Sequence, residues 1–379
     1  MVIFRIMKLE GVVHFFGENL HQLKKIPARL DGIRNQNCCP PDDRQSGKPN
    51  HPVKADATIS DDILFNGDAV KWRKYANSLK VRILMRQSAK KDVSADIAAI
   101  FNNAQEYPVF TSIDDQATLV YNNTVDFYKW YIQPKNLPSD GSGVIFGDNF
   151  RVSEAIVDAL QTKDDPRLPV YVAPTKHSFE AHRANASVPF VYRGQPAGLS
   201  AAEQNEIDKD DYSVLSSMIR SESRAFVMTF AELQFLKAEA IIRGMITGNA
   251  ADEYAKGIRA SMQKWAAISS DDVDVYLARP DVALNTAQNE ALKQIGTQAW
   301  IDSFLNGFEA FANWRRTGYP ELKVGTSVSS AIPVRYIYSD NEQNNPNLIS
   351  WTNEKIGRMV NETDMVWFQP QKWNTNVNR

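Results

Sequence analysis

The stretch "TFAELQFLKAEAIIRG", Thr229 to Gly244, constrains the fold more than any other part of the chain. Thr229 and Glu232 have the T-x-x-E spacing of a capping box, which satisfies free N–H groups at a helix start. Leu233, Leu236 and Ala240 follow at helical spacing and predict a buried stripe. Gly244 can close this helix and Asn249 can cap the next one. Ala251, Tyr254, Ile258, Ser261 and Trp265 then line one face of that second helix. Two helices joined by about five residues make an antiparallel hairpin.

The pairing resembles a tetratricopeptide unit, though three clean 34-residue periods are not found. Other segments extend the helical reading. Asp68 caps a helix running to about Gln87, with Trp72, Ala76, Leu79 and Ile83 on its apolar face and a charged surface reading for Lys71, Arg73, Lys74, Lys80, Arg82 and Arg86. Residues 94 to 104 and 153 to 160 form shorter helices, and Asp165-Pro166 marks a turn. A last long helix is predicted over 289 to 315, lined by Ile295, Ala299, Trp300 and Phe304, with Asn306-Gly307 bending it. Residues 175 to 224 read as a long excursion with little regular structure, and the last sixty as loop-rich with short extended pieces. Residues 1 to 55 contain "NQNCCPPDDRQSGKPNHPVK", rich in breakers and without period, which predicts loop or disorder.

The fold class expected is therefore mainly α, with helical hairpins and an irregular half. The 379 residues are 43% apolar, enough for a substantial core, and the net charge of -2 gives no reason to expect nucleic acid. No run of about 18 apolar residues is present. Cys38 and Cys39 are adjacent and cannot staple distant segments. The five histidines are scattered, and His177 and His182, five apart, do not suit one helical face. H-E-x-x-H, C-x-x-C, G-x-S-x-G and Walker A patterns are missing from the sequence, and "GSGVIFG" does not open a helix after a strand. The expectation is no metal, no cofactor and no enzyme.

"GFEAFANWRRTGYPEL" sets two adjacent arginines among aromatic rings. "TQAWIDSFLNGFEAFANWRRTGYPEL" resembles a segment of the SusD/RagB family of Bacteroidetes outer-membrane lipoproteins. "GDAVKWRKYANSLKVRILMR", "DDPRLPVY", "VMTFAELQFLKAEAIIRG" and "PVRYIYSDNEQNNPN" resemble further family segments in the right order. The resemblance covers about residues 58 to 379. It implies a single SusD-like domain over 56 to 379, preceded by an atypical segment, 1 to 55. It also implies an N-terminally truncated form, since the family's signal peptide, lipobox cysteine and first helices are not seen. On this reading Phe308, Phe311 and Trp314 face the helical core. Arg315 and Arg316 complement the last helical turn, and Thr317 and Gly318 end it.

The resemblance further implies a surface lipoprotein that captures an oligosaccharide or similar nutrient for a TonB-dependent outer-membrane transporter. A sugar has apolar C–H faces and polar edges, so its site wants exposed aromatics beside amides. The segment "YNNTVDFYKWYIQP" fits that need, with Tyr121, Asn122, Asn123, Phe127, Tyr128, Trp130 and Tyr131 as the ligand-binding candidates. The same aromatics could instead fasten loops onto the helices. Tyr192 and Arg193 are weaker candidates. Two other functions remain open at this point: a helical protein-interaction scaffold, and a glycoside hydrolase using two carboxylates about 5 to 9 Å apart.

Overall fold

Side-chain caps start the helices after Asp68, Thr229 and Asn249 where the sequence predicts them. In the computed structural model, residues 61–121, 151–221, 224–265, 267–325, 331–366 and 368–370 are described here, all within the unit Ile59–Arg379. The atypical segment 1 to 55 lies outside them. The described part is mainly helical. Its helices of eight residues or more are α1 (Ala69–Gln87), α2 (Ser94–Asn102), α3 (Glu154–Gln161), α4 (Lys176–Ala184), α5 (Phe230–Ile242), α6 (Ala250–Gln263), α7 (Ser270–Leu277), α8 (Gln288–Asp302), α9 (Gly307–Thr317) and α10 (Pro346–Ile356). A two-stranded antiparallel sheet pairs β1 (Ala117–Val120) with β2 (Arg224–Met228), Thr118 opposite Phe226.

The hairpin α5–α6 is the centre of the fold. Thr229 accepts from the Glu232 N–H, Gly244 has a left-handed φ of 72°, and Asn249 accepts from Ala251 and Asp252. Helix α5 is buried on two faces. Leu233, Leu236 and Ala240 meet a cluster built with α1 and α2, around Val81, Met85, Ile97 and Phe110. Ala231, Phe235 and Ala238 meet the larger cluster containing Tyr254, Ile258, Trp265, Ile295 and Ile301. A helix apolar nearly all round belongs between two cores. The hairpin closes tightly at Gly257, where an added Cβ would stand 2.6 to 3.0 Å from Phe235 ring atoms. Gly257→Ala is expected to lower the unfolding free energy by about 1–3 kcal/mol, read from urea denaturation, because neither backbone nor ring can yield freely.

The structure corrects several local readings. On α1 the buried residues are Asn77, Ser78, Val81, Arg82, Leu84 and Met85, while Ile83 is 48% exposed and Ala76 lies outward. Arg82 is therefore no surface charge. The single helix expected over 289 to 315 is two: Leu305 adopts φ 71°, and Asn306 caps α9 by accepting from Glu309. Phe308 is 64% exposed and does not face the core, whereas Trp314 is buried. Residues 175 to 224 contain α4, capped by Thr175, and the C-terminal region contains α10, begun by Asn345-Pro346 and ended at Gly357 with φ 71°. Thr317 does end α9, and Gly318 follows it with φ 80°.

Candidate functional site

The charged residues of the quoted motifs converge on one another. Arg82 on α1 donates from Nε and Nη2 to the two Glu232 carboxylate oxygens at 2.6 and 2.5 Å, and to the Val227 carbonyl at 3.0 Å. Glu232 thus leaves the capping box that the sequence predicts and turns to α1. Arg86 reaches Glu309 on α9 at 2.6 Å, and Arg82 lies 3.6 Å from the same carboxylate. On the far side, Arg316 forms a two-pronged bond to Glu239, at 2.7 and 2.8 Å, and Arg243 meets Glu239 at 2.8 Å. Burial alone would raise the Glu239 carboxyl, but Arg316 and Arg243 hold it down at about 2. Burial pushes Glu232 upward, with Arg82 opposing. Helices α1, α5 and α9 are thereby bolted together through their charges.

A second lock holds the turn around "DDPRLPVY". Arg167 is fully buried; its Nε and Nη2 meet Asp165 at 2.9 and 2.6 Å, and it also donates to Ser261 on α6 and Gln298 on α8. Beside it, buried Lys264 donates to Asp302 at 2.7 Å, and Thr229 donates to the same carboxylate at 2.6 Å.

This arrangement leaves little space. The cavity between α1, α5, α8 and α9, lined by Arg82, Glu232, Glu239, Glu309 and Arg316 among others, has a volume of about 20 Å³. That is room for a water or two and far too small for a sugar ring. Glu232 and Glu309 both face it, and both are engaged by arginine. Among the described residues the motif charges join helices, and this cavity cannot hold a sugar.

Of the predicted binding residues, Tyr121 is partly buried, and burial raises its hydroxyl. Asn122, Asn123, Phe127, Tyr128, Trp130 and Tyr131 lie outside the described residues. Tyr192 packs against the main core, and Arg193 lies 5.0 Å over the Tyr212 ring. His177 and His182 part company on α4. His177 pairs with Asp208 at 3.0 Å, near Asp211, in an exposed group, while His182 Nδ1 meets the Val188 carbonyl at 2.6 Å. Sequence reasoning missed exposed aromatics, among them Tyr336 and Trp351, 55% and 51% exposed. In sequence Trp351 is flanked by Asn345, Asn347 and Asn353, the same mixture of ring and amide that singled out 121 to 131.

Comparison with known proteins decides the family. The SusD-like family profile, described as starch-binding and associating with the outer membrane, matches residues 48–339. The chain belongs to this SusD-like family. Solved SusD-like structures agree. A Bacteroides vulgatus ATCC 8482 outer membrane protein, described as involved in nutrient binding, is 26% identical with a TM-score of 0.69, over 83% of this chain and 71% of its own. A chitin-binding protein is 29% identical with a TM-score of 0.65, over 82% and 67%. A SusD homologue from Bacteroides fragilis NCTC 9343 is 25% identical with a TM-score of 0.65, over 83% and 71%. No curated protein matches the chain. The SusD-like assignment supports glycan or nutrient binding in association with the outer membrane. Among the described residues no helix is long and apolar enough to cross a membrane.

Proposed function

We propose that the protein captures a glycan, or another oligomeric nutrient, at the cell surface and passes it to a TonB-dependent outer-membrane transporter, as a surface lipoprotein and without catalysis. The family match over residues 48–339 carries this reading, and the chitin-binding relative points to the same ligand class. A binding role also suits the charges, since the buried glutamates of the motifs are spent on arginines that join helices.

The ligand platform proposed is the segment 121 to 131, through Tyr121, Asn122, Asn123, Phe127, Tyr128, Trp130 and Tyr131. A glycan array on the folded protein tests the reading, followed by titration of the best ligand into Trp130→Ala. A platform tryptophan contributes to the ligand and little to the core. Its loss is expected to weaken binding several-fold to about ten-fold with a nearly unchanged melting temperature. A steep fall in melting temperature assigns Trp130 to packing, and unchanged binding places the platform elsewhere.

A further inference from the structure

Arg315 and Arg316 are neighbours in sequence with opposite situations. Arg316 is committed to Glu239. Arg315 is half-buried, and among the described residues it has no carboxylate partner. Among the described residues its one acceptor is the Val334 carbonyl, 3.0 Å from Nη1. Phe311, four residues back on α9, lies 4.1 Å from the guanidinium carbon, and Phe368 lies 5.2 Å from it. Nε is buried without an acceptor, and so is Nε2 of Gln369, the residue after Phe368. Gln369 is fully buried. These are two of the three buried side-chain polar atoms without a partner among the described residues.

Such a pair of orphaned donors is costly in a protein interior. The charge balance points the same way. Arg82, Arg86, Arg243 and Arg316 each reach one of Glu232, Glu239 and Glu309, whereas among the described residues Arg315 reaches no carboxylate. Arg86 adds its positive charge nearby; burial, then Arg86, draws the Arg315 guanidinium down. Aromatic faces partly replace a counter-ion but offer no acceptor to the N–H groups. The planar fork of arginine is built for carboxylates.

We propose that Arg315 is an anion subsite of the bound glycan, taking the carboxylate of an acidic sugar residue, a hexuronate. The carboxylate oxygens supply the acceptor that the guanidinium lacks. The sugar ring lies against Phe368, whose partly exposed ring stands beside the guanidinium, and against exposed Tyr336 two residues from Val334. This inference rests on the glycan-binding reading and adds a preference for acidic over neutral sugars.

The test titrates sodium glucuronate into the ¹⁵N-labelled protein, with glucose and sodium chloride at equal concentration as references. The readout is the Arg315 Nε–H resonance, identified by its loss in Arg315→Gln. The expected result is a saturable shift with glucuronate alone. A tryptophan or tyrosine fluorescence titration should show affinity falling about ten-fold or more in Arg315→Gln and less in Arg315→Lys, which keeps the charge. Melting curves of both variants establish that they fold. An equal response to glucose, no response to glucuronate, or glucuronate affinity unchanged in the folded glutamine variant overturns the inference. Retention of the wild type on gels containing neutral polysaccharide is measured in parallel. Retention there without a glucuronate response at Arg315 leaves the glycan reading intact and removes the anion subsite alone.

Discussion

Glu239→Ala is expected to lower the unfolding free energy by about 3–5 kcal/mol, since removing one partner of a buried ion pair leaves the other uncompensated. Here the orphan would be Arg316, itself 6% exposed and joined to Glu239 by two bonds. Arg243 would lose its partner too. Against a typical total of about 5–15 kcal/mol the loss is severe. Urea unfolding of Glu239→Ala, Arg316→Ala and the double variant measures it. The double variant should cost much less than the sum, because each single change already breaks the pair. The same carboxylate predicts a pH dependence. Its folded value of about 2 lies below the ordinary 4.5, so the stabilisation is complete above pH 4.5 and is lost as pH falls toward 2. That drop corresponds to about 3 kcal/mol. The wild type should lose stability more steeply than Glu239→Ala between pH 4.5 and 2.5. Parallel pH profiles would remove Glu239 from the account.

Arg167→Ala should have a comparable effect, about 3–5 kcal/mol, for the same physical reason. It strips Asp165 of its counter-charge and leaves Ser261 and Gln298 without the donor that ties the turn to α6 and α8. Replacing the pair together, Arg167→Met with Asp165→Leu, should recover much of the loss, because two charges need not then be held away from water. Melting temperatures and urea midpoints of the three proteins decide this. Equal losses in the single and double variants would mean that hydrogen bonds to Ser261 and Gln298, and the shape of the turn, outweigh the ion pair.

The α5–α6 hairpin was legible because its signals are local. Thr229, Gly244 and Asn249 each act within three residues, and each does in the structure what its chemistry predicts. The family was legible because its motif residues, Arg82, Glu232, Glu239, Arg316, Asp165 and Arg167, fix one another. Their partnerships were not legible. Arg82 and Glu232 stand 150 positions apart, and a helix thick with Lys and Arg gives no local sign of which one turns inward. Phe308 misled because an aromatic ring is more often buried than exposed, and α9 begins too soon after Leu305 to cover it. Helix α10 carried clear start and stop signals in Asn345-Pro346 and Gly357, which the surrounding loop-like composition obscured. At the surface, Arg315 could not be told from Arg316 by sequence, although Phe311 one turn before it is the residue it stacks on.

The central claim is that this chain holds a glycan at its surface and leaves it chemically intact. Isothermal titration of the leading array oligosaccharide into the folded protein, followed by mass analysis of the recovered ligand, tests that claim most directly. The account predicts saturable binding and a ligand of unchanged mass after prolonged incubation. Shortened or modified oligosaccharide would make the protein an enzyme, and no binding to any glycan on the array would contradict the capture role itself.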